Sequence, residues 1–124
     1  MQITGIHHVT VVVQDLDRAA RFYGDVLGLP EIPIPPTFLG AGVEVRWFQV
    51  GEAQQIHLLL GPNADAPSRR HVALRVDDAQ AARAVLRARG VDVRETVSIP
   101  SADRFFVSDP DGNQIEVIEW FAAP

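Results

Sequence analysis

The chain has no cysteine and no lysine among its 124 residues, so all 11 basic side chains are arginine. Without thiols it can form no disulfide, no thiolate nucleophile and no cysteine-bound zinc site. No apolar run approaches the ~18 residues that a membrane-spanning helix needs. There is no basic run either, and 16 acidic residues against 11 basic ones leave a net charge of −5. Such a chain lacks the electrostatic footprint of a nucleic-acid or anionic-membrane binder. The opening MQITGIHHVT shows neither the basic-then-apolar pattern nor the small-residue cleavage site of a secretory leader. These absences predict a soluble, cytoplasmic protein. What is present is ordinary for a folded domain: 47% hydrophobic and 22% charged residues. A chain of this length buries roughly two-thirds of its extended surface, enough for a core without staples.

The chain repeats itself. HVTVVVQDLDRAARFYGDVLG from His8 lies over HVALRVDDAQAARAVLRARG from His71, a shift of 63 residues that also pairs Val13 with Val76, Asp15 with Asp78 and Ala19 with Ala82. Later in each half, QIHLLL at Gln55–Leu60 lies over QIEVIE at Gln114–Glu119, which sets His57 on Glu116. Repeats of this kind dictate the architecture, because each copy is one structural unit.

Each copy predicts the same local structure. Val9–Val13 and Val72–Val76 are β-branched runs suited to strands. Asp15 and Asp78 stand where a helix N-cap belongs. Apolar residues at helical spacing then predict helices near Leu16–Leu27 and Asp78–Arg89. Gly28 and Gly90 follow where a left-handed C-cap is needed. Further strands are predicted around Val43–Val50, Gln55–Leu60, Arg104–Ser108 and Gln114–Phe121, with Asp109–Asn113 as a turn. The prolines at 30, 33, 35 and 36 mark an irregular loop in the first half. The expected fold is α+β: one domain over 1–124, built of two tandem β-α-β-β-β modules at about 1–61 and 70–124, with a linker near 61–70. Packed about a pseudo-twofold axis, the modules form an open, cup-shaped mixed sheet.

The repeat also gathers the chemistry. His8 and His71 open the two halves, while His57 and Glu116 occupy equivalent positions in the last strand of each. Three imidazoles and a carboxylate suit a borderline divalent ion: zinc, iron(II), nickel, cobalt or manganese. A lone strand histidine is more often structural, but four ligand-type residues on equivalent positions favour a metal site. His57 is the less secure ligand, since a histidine there also suits a substrate contact or a base. Strand alternation turns His7 to the face opposite His8 and excludes it. The same alternation places Thr10 with His8, and Ile118 and Trp120 with Glu116. Trp47 and Phe106 each precede the second ligand candidate of their half by ten residues, and Arg104 and Ser108 share the face of Phe106. The candidate substrate residues are therefore Thr10, Trp47, Arg104, Phe106 and Trp120, around a small organic acid or carbonyl compound. The aromatics serve equally well as core filling.

On IHHVTVVVQDLDRAARFYGDVLGL, HVALRV and FFVSDPDGNQIEVIE, the chain resembles the vicinal oxygen chelate superfamily over nearly its whole length. That group includes glyoxalase I, methylmalonyl-CoA epimerase, extradiol dioxygenases, and fosfomycin and bleomycin resistance proteins. The resemblance implies paired β-α-β-β-β modules around a divalent metal, with ligand positions at His8, His57, His71 and Glu116. It also implies a homodimer. Departures from the subfamilies are specific. Glyoxalase I carries Glu or Gln where His57 stands, and its bacterial forms carry Arg at Val12 and Asn at Gly61, so glutathione chemistry is disfavoured. Fosfomycin transferases and extradiol dioxygenases carry Tyr at Phe106; the former also need a lysine, and the latter a helper His at Val97.

Two classes of function remain in competition. One is a metalloenzyme whose ion stabilises an enolate or oxyanion while Glu116 or His57 moves a proton, with an iron(II) dioxygenase on His8, His71 and Glu116 as a close variant. The other is a metal-free protein that sequesters a drug or other small molecule, as bleomycin resistance proteins do.

Overall fold

The computed structural model describes residues 1–63 and 66–123. Residues 64 and 65 of the expected linker lie outside them. The chain divides into two compact units, Met1–Ala64 and Asp65–Pro124. The first runs through β1 (His8–Val13), α1 (Leu16–Ala20), β2 (Glu31–Ile32), β3 (Val45–Val50) and β4 (Gln54–Leu60). The second runs through β5 (His71–Arg75), α2 (Ala79–Ala88), β6 (Arg94–Glu95), β7 (Ala102–Ser108) and β8 (Gln114–Trp120). Each unit holds one four-stranded mixed sheet, ordered β1-β4-β3-β2 and β5-β8-β7-β6. In each, the first and last strands pair in parallel and the other neighbours are antiparallel. The repeat is thus structural as well as sequential.

The local signals explain the elements. The Asp15 carboxylate accepts from Arg18 N–H at 3.0 Å, and Asp78 accepts from Ala81 N–H at 2.9 Å, so both cap helices as expected. Gly28 and Gly90 end those segments at φ +76° and +80°, in the left-handed region open to a residue without Cβ. The first helix is less regular than its periodicity predicts, since after Ala20 it widens into a π-helical stretch, Arg21–Val26. Gly24 in that stretch lies against Phe48, where a Cβ would come within 3.3 Å of the ring.

Two strands carry no recognisable signal in the sequence. β2 and β6 are two residues long, too short for any alternation to show, and β2 sits between Pro30 and Pro33 in the stretch expected to be irregular. Asp109 fastens the last turn, accepting from Asp111 N–H and Asn113 N–H at 2.9 Å each and from the Asn113 side chain at 2.9 Å.

Alternation sorts each sheet into a helix-covered and a helix-free face. Val13, Phe48, Ile56 and Leu58 are buried on the helix side of the first unit, with Phe22 and Tyr23. Phe105, Val107, Ile115 and Val117 do the same in the second, with Leu86. Arg83 of α2 is the charged residue in that second layer. Its guanidinium lies 4.8 Å from the Phe105 ring centre and forks onto Asp103 at 2.7 and 2.8 Å and onto Glu95 at 2.9 Å twice. The opposite faces carry the candidate ligands. No helix among the described residues is long and apolar enough to cross a membrane.

Candidate metal and substrate site

In the first unit the ladder aligns Thr10, His57 and Trp47 across three strands, because His57 is the partner of Thr10 on β1 and of Trp47 on β3. The Trp47 indole stacks on the His57 imidazole at 3.9 Å with planes 5° apart, and His8 stacks on His57 at 3.9 Å and 13°. His57 is 6% exposed. Burial in this stack, reinforced by the neighbouring His8 and His7 charges, pushes its pKa down to about 4, so it is a neutral imidazole at pH 7. Its Nε2 donates to Gln55 Oε1 at 2.7 Å; an amide oxygen only accepts, so the proton is on Nε2 and the lone pair on Nδ1.

His7 departs from the expectation. Alternation would turn it away from His8, but β1 begins at His8 and His7 precedes the regular ladder. Its Nδ1 lies 2.9 Å from His8 Nδ1, and its ring stands edge-on to His8 and His57, with centroids 5.1 and 6.4 Å away. The proline-rich stretch adds a residue that no sequence pattern marked: Phe38, in a 3₁₀ turn (Pro36–Phe38), packs edge-on against Trp47 at 5.4 Å.

In the second unit, Glu116 is the ladder partner of Ala73 on β5 and of Phe106 on β7. Its side chain is 11% exposed. One oxygen accepts from Arg104 Nη1 at 3.1 Å; the other lies 3.3 Å from His71 Nε2. Arg104 is itself anchored, donating from Nε and Nη2 to the Val97 carbonyl at 3.2 and 2.9 Å. His71 Nδ1 is 3.0 Å from the Arg69 carbonyl, which only accepts, so that nitrogen carries a proton and Nε2 is the atom aimed at Glu116. The two ligand candidates of this unit thus face each other directly, ring nitrogen to carboxylate oxygen. Phe106 closes one side, edge-on to His71 at 5.1 Å.

The structure therefore brings the four ligand candidates together as two pairs, His8 with His57 and His71 with Glu116. Among the described residues, no group of three or more His, Asp or Glu side chains forms a metal cage. Thr10 lies on the His57 row. Trp120 shares the Glu116 face but stands four residues further along β8, beside Arg75. Each pair by itself offers donors of the type that a borderline divalent ion takes.

A cavity of about 470 Å³ adjoins His71 and takes in Arg69, Arg94, Arg104, Phe106 and Gln114. Arg69 and Arg94 were not marked by the repeat, since Arg69 stands in the stretch read as linker and Arg94 in the two-residue β6.

Comparison with known proteins adds three results. Residues 5–117 match the family model described as the Glyoxalase/Bleomycin resistance protein/Dioxygenase superfamily. A lactoylglutathione lyase of Haemophilus influenzae is 35% identical over 92% of this chain and 91% of its own length. Among solved structures, a protein of Bacillus anthracis assigned to the glyoxalase family superposes with a TM-score of 0.87 at 34% identity, covering 97% of this chain and 98% of that one. TnmS3, an antibiotic binding protein from Streptomyces sp. CB03234, superposes at 0.77 with 31% identity over 97% and 98%.

Proposed function

This chain belongs to the Glyoxalase/Bleomycin resistance protein/Dioxygenase superfamily, and on that premise we propose that it is a divalent-metal-dependent enzyme acting on a small, oxygen-chelating organic substrate. The reaction is of the lyase, isomerase or epimerase type. His8, His57, His71 and Glu116 are the residues that would hold the ion, which when bound supplies a Lewis acid for two substrate oxygens. The observation that carries this reading is the His71 pair: Nε2, its tautomer fixed by the Arg69 carbonyl, faces a Glu116 oxygen at 3.3 Å.

The remaining chemistry falls to the chain's own side chains. Arg104 holds one Glu116 oxygen, and the other, when released as a ligand, is the proposed acceptor of the proton from a substrate C–H. His57, neutral in its stack, offers its Nδ1 lone pair as a second proton acceptor while Gln55 holds the Nε2 proton. Trp47 beside His57 and Phe106 beside His71 are the proposed aromatic contacts for the substrate's carbon skeleton. A glutathione-linked substrate is disfavoured, because Val12 and Gly61 stand where bacterial glyoxalases offer Arg and Asn. The two are direct neighbours, and a Cβ on Gly61 would meet the Val12 methyl at 3.4 Å.

The working unit is proposed to be a homodimer. β1 and β5 are edge strands of their own sheets, and Ile3 and Ile6 are exposed ahead of β1. Light scattering across micromolar concentrations should give twice the chain mass, and a monomer throughout would overturn the assignment.

A second reading is favoured by the 31% identity to an antibiotic binding protein: sequestration of a small molecule without turnover. Assays on 2-oxo acids, hemithioacetals, catechols and acyl-CoA esters, each with zinc, iron(II), nickel, cobalt and manganese, separate the two. Metal-dependent turnover of any member supports the enzyme. Tight binding of an aromatic drug with no turnover and no bound metal supports the binder.

A further inference from the structure

The cavity beside His71 is cationic in a chain whose net charge is −5. Three of its walls are arginines, and the carboxylates within reach are already committed. Both Glu95 oxygens are taken by Arg83, and Glu116 is shared between Arg104 and His71. Arg104 spends three of its N–H groups on Val97 and Glu116. Arg94 is different. Its Nη2 donates to the Gln114 side-chain oxygen at 3.2 Å, and Gln114 is turned that way because its own amide N–H group donates to the Ser68 carbonyl at 2.9 Å. A neutral amide thus positions the Arg94 guanidinium without cancelling its charge, and most of its donors stay available. Arg69 lines the same cavity and makes no ion pair among the described residues.

Ordinarily an arginine that is part-buried in a sheet is matched by a carboxylate, as Arg83 is by two on the other face of this same sheet. Arg94 shares the face of Phe106, its ladder partner, and so looks toward the Glu116 row rather than toward α2. We propose that Arg94, with Arg69 and positioned by Gln114, is the oxyanion clamp of the substrate pocket: the substrate carries a carboxylate or phosphate that this cavity grips beside His71 and Glu116. The assignment rests on the enzyme reading for its biological meaning, since it makes the substrate an anionic oxo compound. The clamp itself needs no metal. Guanidinium forks match the planar carboxylate and the phosphate edge alike, and the cavity holds a small organic acid.

The test uses chelator-treated, full-length protein, so that it stands apart from metal binding. Phenylpyruvate and its methyl ester are titrated by NMR against the wild type and against Arg94→Gln, Gln114→Leu and Arg75→Gln. Arg75 lies on β5 outside the cavity and serves as the charge control. The acid should bind at least tenfold more tightly than the ester. That preference should vanish in Arg94→Gln, shrink in Gln114→Leu and survive in Arg75→Gln. Inorganic phosphate that displaces the acid extends the clamp to tetrahedral oxyanions, and failure to displace it assigns the clamp to carboxylates; either result supports an oxyanion site. Equal binding of acid and ester by wild type, or a preference that Arg94→Gln keeps, overturns it. Loss of metal binding elsewhere in the protein would sink the enzyme reading and leave this result standing.

Discussion

The Trp47 indole lies flat on the His57 imidazole, 3.9 Å between centroids and 5° from parallel, in the middle of a three-ring stack that ends in His8. A tryptophan in van der Waals contact with a proposed ligand reports on that ligand. Adding nickel(II) should therefore quench the Trp47 emission. Trp47→Phe should lose the response while Trp120 still fluoresces, and its metal stoichiometry should be unchanged. Emission indifferent to metal that binds with full stoichiometry would remove His57 from the ligand set.

Asp15 and Asp78 are acidic, repeated and close in sequence to the first histidine of each half, yet the structure uses both as helix caps. Replacing either by Ala should cost about 1 kcal/mol of stability and leave metal content untouched. Urea denaturation and elemental analysis of the two variants check this. Lost metal with unchanged stability would make one of them a ligand.

The Arg83 fork on Asp103 and Glu95 should make stability depend on acid pH. Hydrogen bonds from Arg83 hold both carboxyls below their ordinary range, so the folded state favours their charged forms. The contribution is complete above the unfolded values, near 4.5 for Glu95 and 3.8 for Asp103. It is lost as the pH falls through the lower folded values. Arg83→Met should cost about 2 kcal/mol at pH 7, less than a fully buried pair because both carboxylates reach water. The deficit relative to wild type should be smaller at pH 3 than at pH 7. Urea midpoints at the two pH values read it, and an equal deficit at both would assign the loss to packing on Phe105 instead.

The fold was legible where the repeat amplified it. Two equivalent His-opened strands, two Asp caps and two left-handed glycines each confirm the other, and the Asp109–Asn113 turn has side-chain chemistry specific enough to read alone. β2 and β6 were not legible, because two residues carry no period and their pairing is decided by β3 and β7. Symmetry put His57 and Glu116 on equivalent positions; which histidine each one lies against came from the structure. His7 was misplaced because alternation is a rule for residues inside a ladder, and His7 stands just before one. Arg94 was invisible for the same reason as β6: its importance comes from what Gln114 does to it, a contact across 20 residues. The widening of the first helix at Arg21–Val26 likewise has no counterpart in the apolar spacing, which reads as an ordinary helix.

The ligand assignments rank the variants. His71 faces the Glu116 carboxylate, whereas His57 is enclosed between the Trp47 and His8 rings. His57→Ala should therefore weaken zinc binding less than His71→Ala does, and should lower turnover more than affinity. Competition with a chromophoric chelator gives both affinities, and the reverse order would make His57 the principal ligand.

The most direct measurement is the metal content of protein purified without chelators, for the wild type and for His8→Ala, His71→Ala and Glu116→Gln. The wild type is expected to carry one divalent ion per chain, and each of the three variants to lose it while keeping a cooperative urea transition. A wild type free of metal after incubation with zinc, iron(II), nickel, cobalt and manganese would contradict the account, as would full stoichiometry in Glu116→Gln, and the chain would then stand with the small-molecule binders of its superfamily.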